Sequence, residues 1–212
     1  MHYRLFYILT LSLNILLAVT SCTSCGNGGR KGGEENPMVQ LLDETPDEAR
    51  LAVLDEVLDD VLRMTDPASG SKVTYKYLDA QAGGNIHGTL RVGDTFSILP
   101  QKQTGSISIA INVTELSGRW VYDQSQQRGI DFNAQGGMSS INSETICFRE
   151  WKLLNGQLYL YYIDMQTVAD DRHKYEVEEA SIMYLDANRL NLLFRGDTYE
   201  CVRPSTTPVM IR

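Results

Sequence analysis

Two spacings of apolar residues divide the chain. In the stretch TPDEARLAVLDEVLDDVLRM (45–64), Leu51, Leu54, Leu58, Val61 and Leu62 recur at the three-and-four spacing of one helix face. Asp47, Glu48, Asp55, Glu56, Asp59 and Asp60 fill the remaining positions. Thr45 suits a cap, Pro46 a first helical position, and Glu48 the reciprocal acid of a capping box. The spacing predicts an amphipathic helix running to about Met64 and stopping before Asp66-Pro67. Its acidic side reads as the solvated face of a helix packed on a β core, with partner docking as the functional alternative.

From Lys72 onward the period becomes two. Val73, Tyr75 and Tyr77 alternate with polar neighbours, as do Ile86, Gly88, Leu90 and Val92, and then Ile107, Ile109 and Ile111. Gly83-Gly84 and Gly93-Asp94 supply turn signals between these half-buried strands. Strands follow near 118–123, 128–133, 137–141, 145–154, 157–164, 173–184, 189–195 and 198–203. Asn155-Gly156 joins two apolar runs with residues that tolerate positive φ, a hairpin signal. Many short strands without helices between them predict an all-β fold, an antiparallel barrel or sandwich. Closure is favoured because it removes edge strands.

The first residues carry an address. His2 and Arg4 precede the apolar run LFYILTLSLNILLAV (5–19), which is broken by Thr10, Ser12 and Asn14. A membrane span needs roughly 20 apolar residues, so residues 1–21 read as a signal peptide. The run ends Val19-Thr20-Ser21-Cys22, which resembles the bacterial lipobox: an aliphatic residue, small residues, then the thiol that receives the lipid. Cys22 is the expected lipidation site, and Cys25 lacks the aliphatic residue that would make it a second one. Residues 22–44 are rich in glycine and mixed charge and read as a flexible tether. The membrane, reached through this lipid, is the expected partner. The expected location is the cell envelope, the outer membrane first, with its periplasmic or surface face left open.

Charge and chemistry narrow the classes. A net charge of −8 with no basic stripe argues against nucleic acid. After processing only His87 and His173 remain, too few and too far apart for a zinc site, and Asp170-Asp171-Arg172-His173 reads as a charged hairpin tip. No nucleophile elbow, zinc-protease or dinucleotide motif occurs, and nothing singles out a carboxylate pair. No enzyme, metal or cofactor is expected. Cys147 and Cys201 lie mid-strand, where a disulfide and two buried thiols are both open readings. Among the 11 tyrosines, alternation puts Tyr159 and Tyr161 on one face of a strand and Tyr162 on the other. Inward tyrosines would line a pocket or fill a solid barrel.

The ordered motifs Gly93-Asp94-Thr95, Gly118-Arg119-Trp120, Ser140-Ile141-Asn142 and Trp151 resemble those of the lipocalin-like lipoproteins common in Bacteroidetes. The resemblance covers roughly 85–203. It implies an antiparallel lipocalin-like barrel over 113–204, preceded by a small β unit that is OB-like in the family, and followed by a tail, 205–212. The chain departs from that pattern in front: residues 45–112 read as the helix plus a shortened β unit. By the same resemblance Trp120 closes the barrel floor and Arg203 lies across it, a structural plug. The implied function is a lipid-anchored envelope binding protein whose barrel holds a small apolar or amphipathic ligand. A non-enzymatic scaffold or interaction lipoprotein in envelope assembly or stress sensing is the alternative, with no particular protein partner indicated.

Overall fold

The computed structural model describes residues 48–101, 103–123, 125, 127–166 and 175–204. They lie in one compact unit, Asn36–Arg212. The first strands are β1 (Arg50–Val57), β2 (Val61–Thr65) and β3 (Lys72–Lys76), an antiparallel meander followed by the short helix α1 (Leu78–Ala82). Then come β4 (Ile86–His87), β5 (Thr95–Pro100) and β6 (Ile107–Asn112). The sheet order is β3-β2-β1-β5-β6-β4, and it curls until β3 meets β6 in a parallel bridge between Lys76 and Ser106. Five strands closed in this way, with a helix after the third, form a small OB-like barrel. Its interior holds Ala52, Leu54, Leu62, Met64, Phe96 and Ile98.

The helix expected at 45–64 is not formed: its described residues make β1 and β2 instead. Leu51, central to the apolar face of such a helix, is 52% exposed, while Ala52, Leu54, Leu62 and Met64 are buried at alternate positions. Over runs this short, spacings of two and of three-and-four overlap, and pairing decides between them. β1 pairs with β2 on one side and β5 on the other, so its backbone groups are satisfied across the sheet. The acids become cross-strand partners: Asp55 accepts from the Thr65 hydroxyl at 2.6 Å and Lys72 at 2.9 Å, and Glu56 pairs with Arg63 at 2.8 Å. The front unit is therefore not shortened; the segment read as a helix supplies its first two strands. The strand expected over 86–92 ends at His87, because Gly88 turns the chain with φ of 102°.

Helix α2 (Val113–Leu116) leads into the second sheet: β7 (Gly118–Val121), β8 (Gly129–Phe132), β9 (Met138–Ile141), β10 (Ile146–Leu154), β11 (Gln157–Asp164), β12 (Glu176–Leu185), β13 (Arg189–Phe194) and β14 (Asp197–Val202). Their order is β10-β11-β12-β13-β14-β7-β8-β9, antiparallel throughout. The two ends of the sheet approach each other through a bridge from Gly137 to Glu150 and a 2.8 Å bond from the Trp151 N–H to the Gly136 carbonyl. The result is a nearly closed eight-stranded barrel, as expected. Asn155 and Gly156, at φ of 51° and 79°, form the two-residue turn between β10 and β11.

The front sheet covers the end of the barrel at that turn. Ile111 of β6 belongs to the barrel's apolar cluster, and Gly156 packs so closely on Ile109 that an added Cβ would lie 3.0 Å from it. Cys147 and Cys201 are free thiols, Cys201 fully buried.

Candidate functional site

The barrel has two unlike ends. At the covered end Trp120 is completely buried and donates its indole N–H to the Leu116 carbonyl at 2.8 Å. Arg203, just past β14, lays its guanidinium 3.7 Å from the centre of the indole. It also donates to the carbonyls of Glu115, Ser117 (2.9 Å) and Arg119 (3.3 Å). Burial pulls the Arg203 pKa down while Glu115 and Asp131 pull it back up, and an arginine stays charged in either case. Gly118 is required here: at φ of 104°, an added Cβ would stand 2.8 Å from the Arg203 guanidinium.

A buried polar network braces this floor. Asn112 caps α2 by accepting from the Glu115 N–H at 2.9 Å, and donates to Asp94 at 2.8 Å and the Thr89 carbonyl at 2.9 Å. Glu115 accepts from the Thr89 N–H at 2.7 Å through one oxygen. The floor is thus a packed and bonded closure.

The opposite end is different. Edge-to-face and tilted rings step upward through the barrel, with Phe148, Tyr162 and Phe194 5.3–6.3 Å apart. Tyr199 lies 6.5 Å from Phe194, and Tyr122 5.3 Å from Tyr199. Charges crown the rings. The buried Tyr162 hydroxyl donates to Glu178 at 2.5 Å and Glu176 at 2.9 Å, while Arg195 pairs with Asp164 at 2.7 Å. Burial, then the two carboxylates, push the Tyr162 phenol far above its ordinary value, so it stays a neutral donor. Burial likewise raises the phenols of half-buried Tyr122 and Tyr199. An aromatic wall below a polar rim can take an apolar body with a polar head. Among the described residues no group of three His, Cys, Asp or Glu stands ready to hold a metal.

The structure brings Trp120 and Arg203 together and sets Tyr162 inward, with Tyr159 and Tyr161 outward. His87 is half-buried beside a cleft of about 140 Å³ lined also by Ile111, Gln157 and Glu179, and burial lowers its pKa. Cys22 and the 170–173 cluster lie outside the described residues. Sequence reasoning missed the crown of Asp164, Glu176, Glu178 and Arg195, because acids 14 residues apart give no local signal. The floor network did leave one: Asn112 followed three residues later by Glu115 is a capping pattern.

The second sheet is thus a nearly closed eight-stranded antiparallel barrel with Trp120 under Arg203 at its covered end, an arrangement consistent with a lipocalin-like fold. Residues 112–202 match the family described as lipocalin-like. Among solved structures the chain is similar to a lipocalin-like protein from Bacteroides thetaiotaomicron, at 23% identity and a TM-score of 0.36, over 42% of this chain and 97% of that one. No curated protein matches the chain.

Proposed function

We propose that this is a lipid-anchored binding protein of the bacterial cell envelope whose barrel takes a small amphipathic molecule at the end opposite the front barrel. The observation that carries the reading is the ring ladder from Phe148 to Tyr122 ending at Asp164, Glu176, Glu178 and Arg195. A barrel of about eight strands either fills its interior or holds one small ligand. Here Trp120, Phe132 and Trp151 share one buried cluster with Phe148, Tyr162 and Phe194, and the reading takes the ring ladder as the wall a ligand would meet. Lipocalin-like proteins typically bind small hydrophobic ligands, which supports the reading. The anchor rests on the lipobox ending at Cys22. Several acyl chains on one cysteine, at about 0.8 kcal/mol per buried CH₂, hold a protein stably on a bilayer.

Native mass spectrometry of the whole Cys22→Ala chain, recovered from cells without its lipid, should find a bound small molecule that Phe194→Ala releases. An empty parent chain would sink the ligand reading. In the unmodified cell, Cys22→Ala should abolish lipid labelling and membrane retention, and Cys25→Ala should change neither. The scaffold reading drew on an acidic helix; the acids at 55 and 56 instead tie strands together, so that motive is gone.

A further inference from the structure

One face of the front sheet is turned towards the second barrel. Ile111 of β6, Ser97 of β5 and Leu51 of β1 are register partners in turn, so they form one row on that face. Contact fades along the row. Ile111 sits in the second barrel's apolar cluster, Ser97 is 4% exposed, and Leu51 is 52% exposed. Beside Ser97 and Leu51 lies a cleft of about 260 Å³, walled also by Val113, Trp151 and Leu153.

Two features of the cleft ask for an occupant. The first is Ser97, a polar residue between two large aliphatic ones. Its backbone is committed to β1 and β6, and among the described residues its hydroxyl has no hydrogen-bond partner. A hydroxyl this buried is normally bonded, and what it faces is the cleft. The second is charge. The charged residues lining the cleft, Arg50 and Lys152, are both cations, and no acid lines it, in a chain whose net charge is −8.

We propose that this cleft binds a small amphipathic anion, a carboxylate carried on a short alkyl body. The body covers Leu51, Val113 and Leu153, which takes a bare leucine out of water. The carboxylate accepts from the Ser97 hydroxyl, a charge-assisted bond stronger than one between neutral groups, in the field of the two cations. The volume falls a little below the roughly 300–1,000 Å³ of sites for drug-sized ligands, so a short chain fits and a full lipid does not. The cleft lies between the two barrels and shares no residue with the ring ladder, so this site and the barrel end can each fail alone.

The test titrates sodium octanoate into the whole Cys22→Ala chain, labelled with nitrogen-15 and kept free of lipid and detergent. The chain has two tryptophans, Trp120 and Trp151, and Trp151 lines the cleft. Its indole N–H signal, assigned with Trp151→Phe, should shift and saturate at millimolar octanoate. Ser97→Ala should weaken this binding about tenfold, and Leu51→Asp, which adds an anion to the wall, at least tenfold. Phe194→Ala should leave it unchanged. Octylamine, with the same body and the opposite charge, should need at least tenfold more to move the signal. A Trp151 signal that octanoate does not move overturns the proposal. So do equal affinities in the parent chain, Ser97→Ala and Leu51→Asp, or a loss seen in Phe194→Ala alone, which would place octanoate at the barrel end. Octylamine binding as tightly as octanoate overturns the choice of an anion.

Discussion

The two barrels of this chain each close through an isolated bridge but fill with different residues. The front barrel shuts with a parallel bridge between Lys76 and Ser106, over a largely aliphatic core of Leu54, Leu62, Met64 and Ile98. The second nearly closes through an antiparallel bridge from Gly137 to Glu150, and rings run through it from Trp120 to Tyr199. Aliphatic side chains fill space from any direction. Aromatic rings prefer edge-to-face contacts and, in tyrosine, carry a polar tip that wants a partner. The first core therefore makes a plug, while the second makes a wall with a direction, from a bonded floor to a polar rim. Among the described residues one barrel covers an end of the other, and none covers the opposite end.

Breaking each core should show this asymmetry. Trp120→Ala removes a fully buried ring and the platform under Arg203, and urea denaturation should register a loss of about 3–5 kcal/mol. Loss below about 1 kcal/mol would mean the floor is not the barrel's keystone. Leu54→Ala in the front barrel should cost about 2–4 kcal/mol, whereas Leu51→Asp one turn of alternation away should stay within about 0.5 kcal/mol. The reverse ranking would restore the helix.

The smallest effect belongs to the β12–β13 turn. Although burial pushes the Asp186 carboxyl up, the Tyr184 hydroxyl and the N–H groups of Asn188 and Arg189 hold it down at about 2. A folded pKa below the ordinary carboxylate value near 4 means the folded state binds fewer protons there, so stability is present above about pH 4 and lost towards pH 2. Acid titration of the urea midpoint should show a drop in that window that Asp186→Asn flattens.

How much of this was readable depends on run length and residue type. β10, β11 and β12 run for 9, 8 and 10 residues, long enough for alternation to be unmistakable, and Asn155-Gly156 fixes the turn between the first two. β2 has 5 residues and β1 buries only Ala52 and Leu54, both good helix formers. In that window the two periods coincide, and only β5, which pairs with β1 from more than 40 residues away, separates them. The Trp120–Arg203 pair was reachable through the family resemblance, which implies a late-strand arginine across the Gly-x-Trp indole. The crown around Tyr162 was not, since its members meet only after β11, β12 and β13 have aligned.

Arg203 also sets a clock. It reaches back 88 residues to the carbonyl of Glu115, tying the last strand to the helix that opens the barrel. A chain made or threaded from its N-terminus can finish the front barrel early, since all six of those strands precede residue 113. The second barrel must wait for almost its whole length before its floor can lock, and long-range closure of this kind is slow. During that interval Trp120 and the rings above it have no lid, so the vulnerable moment in this protein's life falls before its last ten residues arrive.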